Sequence, residues 1–122
     1  KAGIARAQEM GIKISIAVVD AAGNMVYVAR MDGATFFSAY IGAGTAFTSA
    51  AWRVSSGETE NKAKVAPYFY ESAASMSGGR AVIRQGALPI SMDGTVVGAV
   101  GVSGGTSTED EEVARAGLTV IA

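Results

Sequence analysis

Histidine and cysteine are both absent from this chain of 122 residues. Without cysteine the protein cannot form a disulfide, a thiolate nucleophile, a cysteine-ligated zinc site or an iron–sulfur cluster. Without histidine it cannot form a Ser-His-Asp triad. Large classes of hydrolases and metalloproteins are therefore excluded before any motif is considered.

Long apolar runs and clusters of basic residues are missing as well. No apolar run reaches the ~18 residues that a membrane-spanning helix needs. The ten lysines and arginines are scattered and are balanced by eleven acidic residues, which leaves a net charge of −1. Nucleic-acid binding depends on basic groups gathered against phosphates. We therefore expect neither a membrane nor a nucleic acid as partner, and look for a small-molecule or cofactor ligand.

The remaining composition is that of a folded domain. The chain is 49% hydrophobic and only 17% charged, so it can build a core, and its length suits one domain over 1–122. It begins at Lys1 within a stretch of helical spacing, which predicts a truncated first helix. A cytoplasmic location is expected, and export stays open because a leader could have preceded this start.

Hydrophobic periodicity and turn signals predict an α+β fold. Two strand pairs are each joined by a tight turn, the second of them at Asp93-Gly94, and such hairpins make an antiparallel sheet. Thr106 and Glu109 form a capping box for the last helix. Residues 55–79 are read as irregular, apart from a helix over 58–65 that Pro67 ends. Strands are predicted at 14–20, 25–30, 81–84, 88–92 and 95–103, with helices at 1–10, 35–53 and after 106.

A serine-hydrolase motif is present but lacks its partners. Gly101-Val102-Ser103-Gly104-Gly105 fits G-x-S-x-G between a strand and a helix. The Ser103 hydroxyl needs a base to become a nucleophile, and no histidine is available. The acidic run 109–112 also argues against a phosphate cradle at this corner, because it already complements the helix dipole and would repel an anion. We interpret the corner as structural.

Two acidic residues are the candidate metal ligands. Glu109 and Glu112 lie three residues apart on one face of the last helix, where oxygen ligands can hold a hard cation. The alternative interpretation is a solvated capping turn at the start of that helix.

Three segments carry a family resemblance: SIAVVDAAGNMVYVARMDGA (Ser15–Ala34), GALPISMDGTVVGAVGVSGGT (Gly86–Thr106) and the following EDEEVARAG. Together they resemble the GlcG/HbpS-like haem-binding family, which is related to the C-terminal domain of PduO-type corrinoid adenosyltransferases. The resemblance implies a profilin-like α/β/α sandwich with a five-stranded antiparallel sheet flanked by helices. It also implies homo-oligomers from dimer to octamer, haem binding, and roles in redox or stress sensing or accessory roles in small-molecule catabolism.

A ligand pocket is expected near the end of the second strand and the long helix. Arginines there would meet anionic groups, a methionine and a tyrosine would pack or ligate, and an aspartate would accept a hydrogen bond. Haem would then be held without a histidine or cysteine axial ligand. The predicted pocket residues are Arg30, Met31, Asp32, Tyr40, Thr45 and Arg80.

Three functions stay open on the sequence. The leading hypothesis is a non-catalytic, oligomeric module that binds haem or a similar flat cofactor. A second is a small enzyme in which Asp32 or a tyrosine moves a proton on a small oxygenated substrate. A third is a structural or accessory subunit of a larger complex, with Tyr68–Tyr70 as the contact.

Overall fold

The structure is a computed structural model that describes residues 1–119. This part of the chain forms five helices and four strands. In order they are α1 (Ala2–Met10), β1 (Ser15–Asp20), β2 (Met25–Arg30), α2 (Phe36–Trp52), α3 (Ser56–Val65), α4 (Pro67–Met76), β3 (Ala87–Met92), β4 (Thr95–Ser103) and α5 (Ser107–Leu118).

The strands form one antiparallel sheet in the order β2-β1-β4-β3. The two hairpins, β1–β2 and β3–β4, supply the outer pairs, as tight turns between consecutive strands dictate. The centre of the sheet joins the hairpins through β1 and β4, where Ala17 lies opposite Gly101. The predicted antiparallel α+β architecture is confirmed in this form.

Helices cover both faces of the sheet, which explains why its central strands are apolar on both sides. On one face α1 and α5 close over a core that includes Ile16, Val100 and Val113. On the other face α2 packs against Val19 and Ala99. The helix layers therefore place α2 on the opposite side of the sheet from α1 and α5.

The predicted fifth strand, at 81–84, is wrong. The Val82 amide donates to the Gly44 carbonyl at 3.2 Å, and the Val82 carbonyl accepts from Thr48 Oγ1 at 2.9 Å. These bonds tie the segment to α2, so the same backbone groups cannot join a sheet ladder. The Val82 side chain also fills the space where position 44 would carry a Cβ. The sheet of the described residues has four strands because this segment pairs with a helix instead.

Helix α4 was not foreseen in the segment read as irregular. Pro67 does end α3, as expected, but it is also the first residue of α4, where its missing amide costs nothing. None of the α4 side chains is buried. The chain leaves the helix through Gly78 and Gly79, which both have positive φ angles. The result is a helix held at the edge of the fold.

Within residues 1–119, no helix combines the length and the apolar character that crossing a membrane requires.

Candidate functional site

A cavity of about 340 Å³ lies between α2, the β1–β2 turn and the segment that follows α4. We call it the first cavity. It is open at one side, and most of its wall is apolar. The side chains that shape it include Met25, Phe37, Tyr40, Ile41, Phe47 and Arg80.

The walls of the first cavity follow from helix and strand periodicity. Phe37, Tyr40 and Ile41 recur at i, i+3 and i+4, so α2 presents them on one side. Met25 is paired with Val19 and lies on the same face of the sheet, towards α2. Phe37, Tyr40 and Met25 are 58%, 67% and 60% exposed. An exposed group of large apolar side chains beside a cavity is typical of a binding surface.

Arg80 supplies the charge of this site. Among the described residues that line the first cavity, it is the one with a charged side chain. Its Nη2 donates to the Gly23 carbonyl at 2.8 Å, and its Cζ lies 4.4 Å from the centre of the Phe47 ring. A guanidinium has five N–H donors, so this anchored group can still bind a carboxylate at the cavity rim.

Asp20 orders the turn that presents Gly23 to Arg80. Its Oδ1 accepts hydrogen bonds from the amides of Ala22 and Asn24, both at 2.9 Å. The Asn24 amide is the main cause that lowers the pKa of the Asp20 carboxyl below its ordinary value, and the Arg80 charge adds to the effect. The carboxylate is therefore ionised at neutral pH and keeps the turn in place beside the cavity.

A second cavity, of about 460 Å³, lies between the C-terminal half of α2 and α4. Phe47, Trp52, Phe69 and Met76 contribute its large apolar side chains. The ring of Tyr70 packs against Trp52 with centroids 5.4 Å apart and holds α4 at this position. No charged side chain of the described residues lines this cavity, so it suits an uncharged apolar group.

With this geometry in place, the chain was compared with known proteins. A family model described as "Haem degrading protein HbpS-like" matches residues 1–119. The chain belongs to this family. The resemblance predicted from the three sequence segments is thereby confirmed.

Relatives of known sequence lie in the same family. The chain is 34% identical, over 114 residues, to an uncharacterized 15.0 kDa protein of the dhaT–dhaS intergenic region in Citrobacter freundii; the match covers 93% of this chain and 80% of that protein. It is 33% identical over 105 residues to GlcG of Escherichia coli, covering 84% and 72%. These matches support the GlcG part of the prediction.

Solved structures of HbpS-like proteins agree with the fold. A double mutant of HbpS from Streptomyces reticuli superposes with a TM-score of 0.88 at 30% identity, covering 99% of this chain and 80% of that one. A structure described as the PduOC:heme complex gives a TM-score of 0.87 at 25% identity, covering 97% and 85%. The relationship to PduO is thus visible in the structure as well as in the sequence.

Two of the six predicted pocket residues lie together in the first cavity. Tyr40 stands on its α2 wall and Arg80 at its rim. Their shared position could not be read from the sequence, where they are forty residues apart. Their role in binding stays a prediction.

Arg30, Met31 and Asp32 lie away from the first cavity, and their role in binding stays a prediction. Strand β2 ends at Arg30, far along the strand from Met25, and neither Arg30 nor Asp32 lines the first or the second cavity. The Met31 sulfur lies 3.5 Å from the Ile14 amide, and its side chain packs on the α1/α5 side of the sheet. Proton transfer by Asp32 in the first cavity therefore gains no support from the geometry.

Thr45, another predicted pocket residue, lies on the side of α2 that faces the sheet. It is fully buried between α2 and β4, and its Oγ1 donates to the Gly42 carbonyl at 3.0 Å. Because α2 turns Thr45 towards the sheet, the side chain supports the helix from behind and does not line either cavity.

The two predicted metal ligands are engaged by protein groups. Glu109 Oε1 accepts from the Thr106 amide at 2.9 Å and completes the capping box. Glu112 Oε2 accepts from Arg6 Nε at 2.8 Å, which also raises the pKa of Arg6. In the part of the chain from 1 to 119, no group of three or more acidic side chains could hold a metal ion. The geometry favours the capping role over the metal role.

The sequence prediction overlooked Met25, Phe37 and Phe47 as cavity residues. Phe37 and Phe47 lie in the long helix at spacings that are equally typical of core side chains. Met25 begins a strand whose exposed edge was not identifiable from alternation alone. The feature that identifies them as cavity residues is the apolar surface that they leave exposed or half-exposed. This exposure depends on how α2 crosses the sheet, so the sequence alone does not reveal it.

Proposed function

We propose that this protein is a ligand-binding module whose first cavity takes haem or a similar flat, apolar cofactor that carries carboxylates. The observation that carries the proposal is the placement of Arg80 at the rim of a cavity walled by Phe37 and Tyr40. Aromatic and apolar walls bind a planar ring, and an anchored guanidinium binds its carboxylate.

The donor atoms of the first cavity are compatible with haem. Met25 and Tyr40 line the cavity, and methionine and tyrosine side chains both ligate haem iron in proteins. Its volume of about 340 Å³ lies at the lower end of the range for ligand sites, ~300–1,000 Å³, and its open side leaves room for part of a larger ring. Bound haem would supply a redox-active iron; Arg80 and the aromatic walls would orient it.

The relatives support the same ligand class. The family is described as haem-degrading, and one structure that shares the fold is described as a complex with heme. A binding module of this kind would serve redox or stress sensing, or an accessory step in small-molecule catabolism, through the occupancy of its site.

A hemin titration tests the proposal. The purified protein is expected to give a saturable shift of the Soret band. Arg80→Gln is expected to weaken hemin binding about ten- to a hundredfold, because a charge-assisted hydrogen bond contributes about 1.5–3 kcal/mol. Arg115→Gln is the matched control, since Arg115 pairs with Glu111 on α5, behind the opposite face of the sheet. Absence of a saturable shift, or equal weakening by both variants, contradicts the proposal.

The iron ligand is tested by a second pair of variants. Met25→Leu is expected to change the Soret position of the complex, whereas Met31→Leu is not, because the Met31 sulfur faces the other side of the sheet. Tyr40→Phe separates a phenolate ligand from simple ring packing. A complex whose spectrum is unchanged by both Met25→Leu and Tyr40→Phe would exclude protein ligation of iron by these two side chains.

We also propose that the protein is a homo-oligomer in which α4 lies at a subunit contact. Tyr68, Phe69 and Met76 are 85%, 61% and 89% exposed, and α4 buries none of its residues in its own chain. Large apolar side chains on an unburied helix favour contact with another subunit. This is the surface that the sequence indicated at Tyr68–Tyr70.

Light scattering coupled to gel filtration tests the contact. Wild-type protein is expected to elute as a dimer or larger, and the double variant Tyr68→Glu/Met76→Glu as a smaller species, because buried charges at an interface are costly. Tyr27→Glu, on the exposed edge of β2 and 54% exposed in the wild type, is the control. A monomeric wild type, or dissociation by the control alone, would show that α4 is not the contact.

A further inference from the structure

Phe47 stands between the two cavities. Among the described residues it is the one whose side chain lines both of them. The first cavity continues towards the β1–β2 turn and the second towards α4, so the ring is the partition between two apolar spaces.

The ring is held in this position from two sides. The Arg80 guanidinium lies 4.4 Å from its centre, a cation–π contact that favours this placement of both groups. On the Cδ2–Cε2 edge the backbone of Gly23 approaches so closely that a Cβ at position 23 would lie 2.7 Å from Phe47 Cε2. Gly23 also accepts a hydrogen bond from Arg80. The three residues therefore form one unit around the partition.

The cavities on the two sides differ in chemistry in a complementary way. The first has Arg80 at its rim, whereas the second is lined by Trp52, Phe69 and Met76 with no charged side chain among the described residues. A molecule with a carboxylate at one end and an apolar body has a suitable contact in each. Because the charged side chain lies beside the first cavity, the carboxylate of such a molecule is expected at Arg80 and its apolar body away from this charge.

We propose that the two cavities are lobes of one binding trough for amphipathic carboxylates, and that Phe47 sets the length of the apolar body the protein accepts. The inference rests on the proposed anion contact of Arg80. With the ring in place, the apolar body of a ligand is confined to the first lobe. Without it, the apolar body extends past position 47 towards Trp52 and buries additional surface, which strengthens binding.

The position of Trp52 makes the proposal measurable. It is the single tryptophan of the chain and lines the second cavity only. A terminally brominated dodecanoate is the probe, since bromine quenches tryptophan fluorescence on contact, and unbrominated dodecanoate controls for indirect changes. Binding is measured in parallel by calorimetry on wild type, Phe47→Ala and Phe47→Leu, the last keeping a branched side chain at the partition.

In Phe47→Ala the probe is expected to bind about tenfold more tightly than in wild type and to quench Trp52, while Phe47→Leu stays close to wild type. Adding Ala73→Phe, which fills the second cavity from α4, is expected to remove the gain. If Phe47→Ala fails to fold, Phe47→Val, whose side chain is shorter than that of leucine, is expected to give a smaller gain in the same direction. Equal affinity in wild type and Phe47→Ala, or full quenching in wild type, overturns the inference.

Hemin separates this inference from the proposed function. If wild type binds hemin and Phe47→Ala leaves the affinity for the probe unchanged, the proposed role of Phe47 is contradicted and the proposed haem site is supported. If no variant binds hemin but the probe gains affinity in Phe47→Ala and loses it again with Arg80→Gln, the trough stands and haem is not its ligand.

Discussion

Gly101→Ala is expected to lower the free energy of unfolding by about 3–5 kcal/mol. Here α2 crosses β4 so closely that a Cβ would lie 2.7 Å from both the Ala46 amide nitrogen and Thr45 Oγ1, and closer still to the Gly42 carbonyl oxygen. Two of these atoms belong to the helix backbone, which cannot rotate away as a flexible side chain could. The helix must therefore shift from the sheet.

This shift also reaches the proposed site, because α2 carries Phe37 and Tyr40 in the wall of the first cavity. Urea unfolding measures the stability, and hemin titration measures the site. Gly117→Ala is the matched control: it lies inside α5 with Ile16 Cδ1 as its nearest neighbour at 3.7 Å, and alanine in a helix is favoured over glycine by about 1 kcal/mol. A Gly101→Ala protein as stable as wild type would show that α2 does not approach β4 this closely.

Asp110→Ala is expected to cost about 2–4 kcal/mol. The Asp110 side chain is fully buried; its Oδ2 pairs with Arg84 Nη1 at 3.0 Å and its Oδ1 accepts from the Gly105 amide at 2.8 Å. Removing the carboxylate leaves Arg84 without its acidic partner and the Gly105 amide without its acceptor at the junction of β4 and α5. The Arg84 side chain is 33% exposed, so water offsets part of the loss and the cost stays below that of a fully buried pair.

Urea unfolding at neutral pH measures this cost, with Glu111→Gln as the control. Glu111 makes an ion pair with Arg115 at 3.1 Å one helical turn away, but the Arg115 side chain is 64% exposed. Such a surface pair contributes less than about 1 kcal/mol. Similar losses in the two variants would mean that the Asp110 pair is no more than a surface contact.

The pH dependence of the same pair has a defined sign. Burial raises the pKa of the Asp110 carboxyl above its ordinary value, and the hydrogen bonds from Arg84 and Gly105 offset only part of this. The folded state therefore holds this proton more firmly than the unfolded state. Relative to Asp110→Asn, wild-type stability is expected to rise as the pH falls from the raised pKa towards the ordinary one, and to level off below it. The lowered pKa of Asp20 affects the stability of wild type and of Asp110→Asn equally, so it does not contribute to the difference between them.

Much of the fold was predictable because its signals are local. The Asp93-Gly94 turn and the alternating strands around it form the β3–β4 hairpin. Thr106 and Glu109 make both bonds of the predicted capping box, and Gly11 ends α1 in the left-handed conformation. Each of these features depends on residues a few positions apart, whose conformational preferences act before any tertiary contact forms.

The errors arose where distant segments compete for the same groups. Residues 81–84 have strand-like composition, but Val82 bonds to Gly44 and Thr48 of α2. Asp110 belongs to a run of four acidic residues, yet it alone of that run is fully buried, because Arg84 approaches from a separate segment. Neither partner lies near enough in sequence to leave a local pattern.

By itself, the sequence determined the family, the antiparallel α+β class and the chemistry that cannot occur, since the absence of histidine and cysteine needs no coordinates. Only the tertiary structure decided which side chains share a cavity. The crossing of α2 over the sheet turns Thr45 inward and brings Tyr40 beside Met25 and Arg80. Helix packing is set by the close approach of backbones at Gly42 and Gly101, a contact between residues 59 positions apart that local preference does not encode.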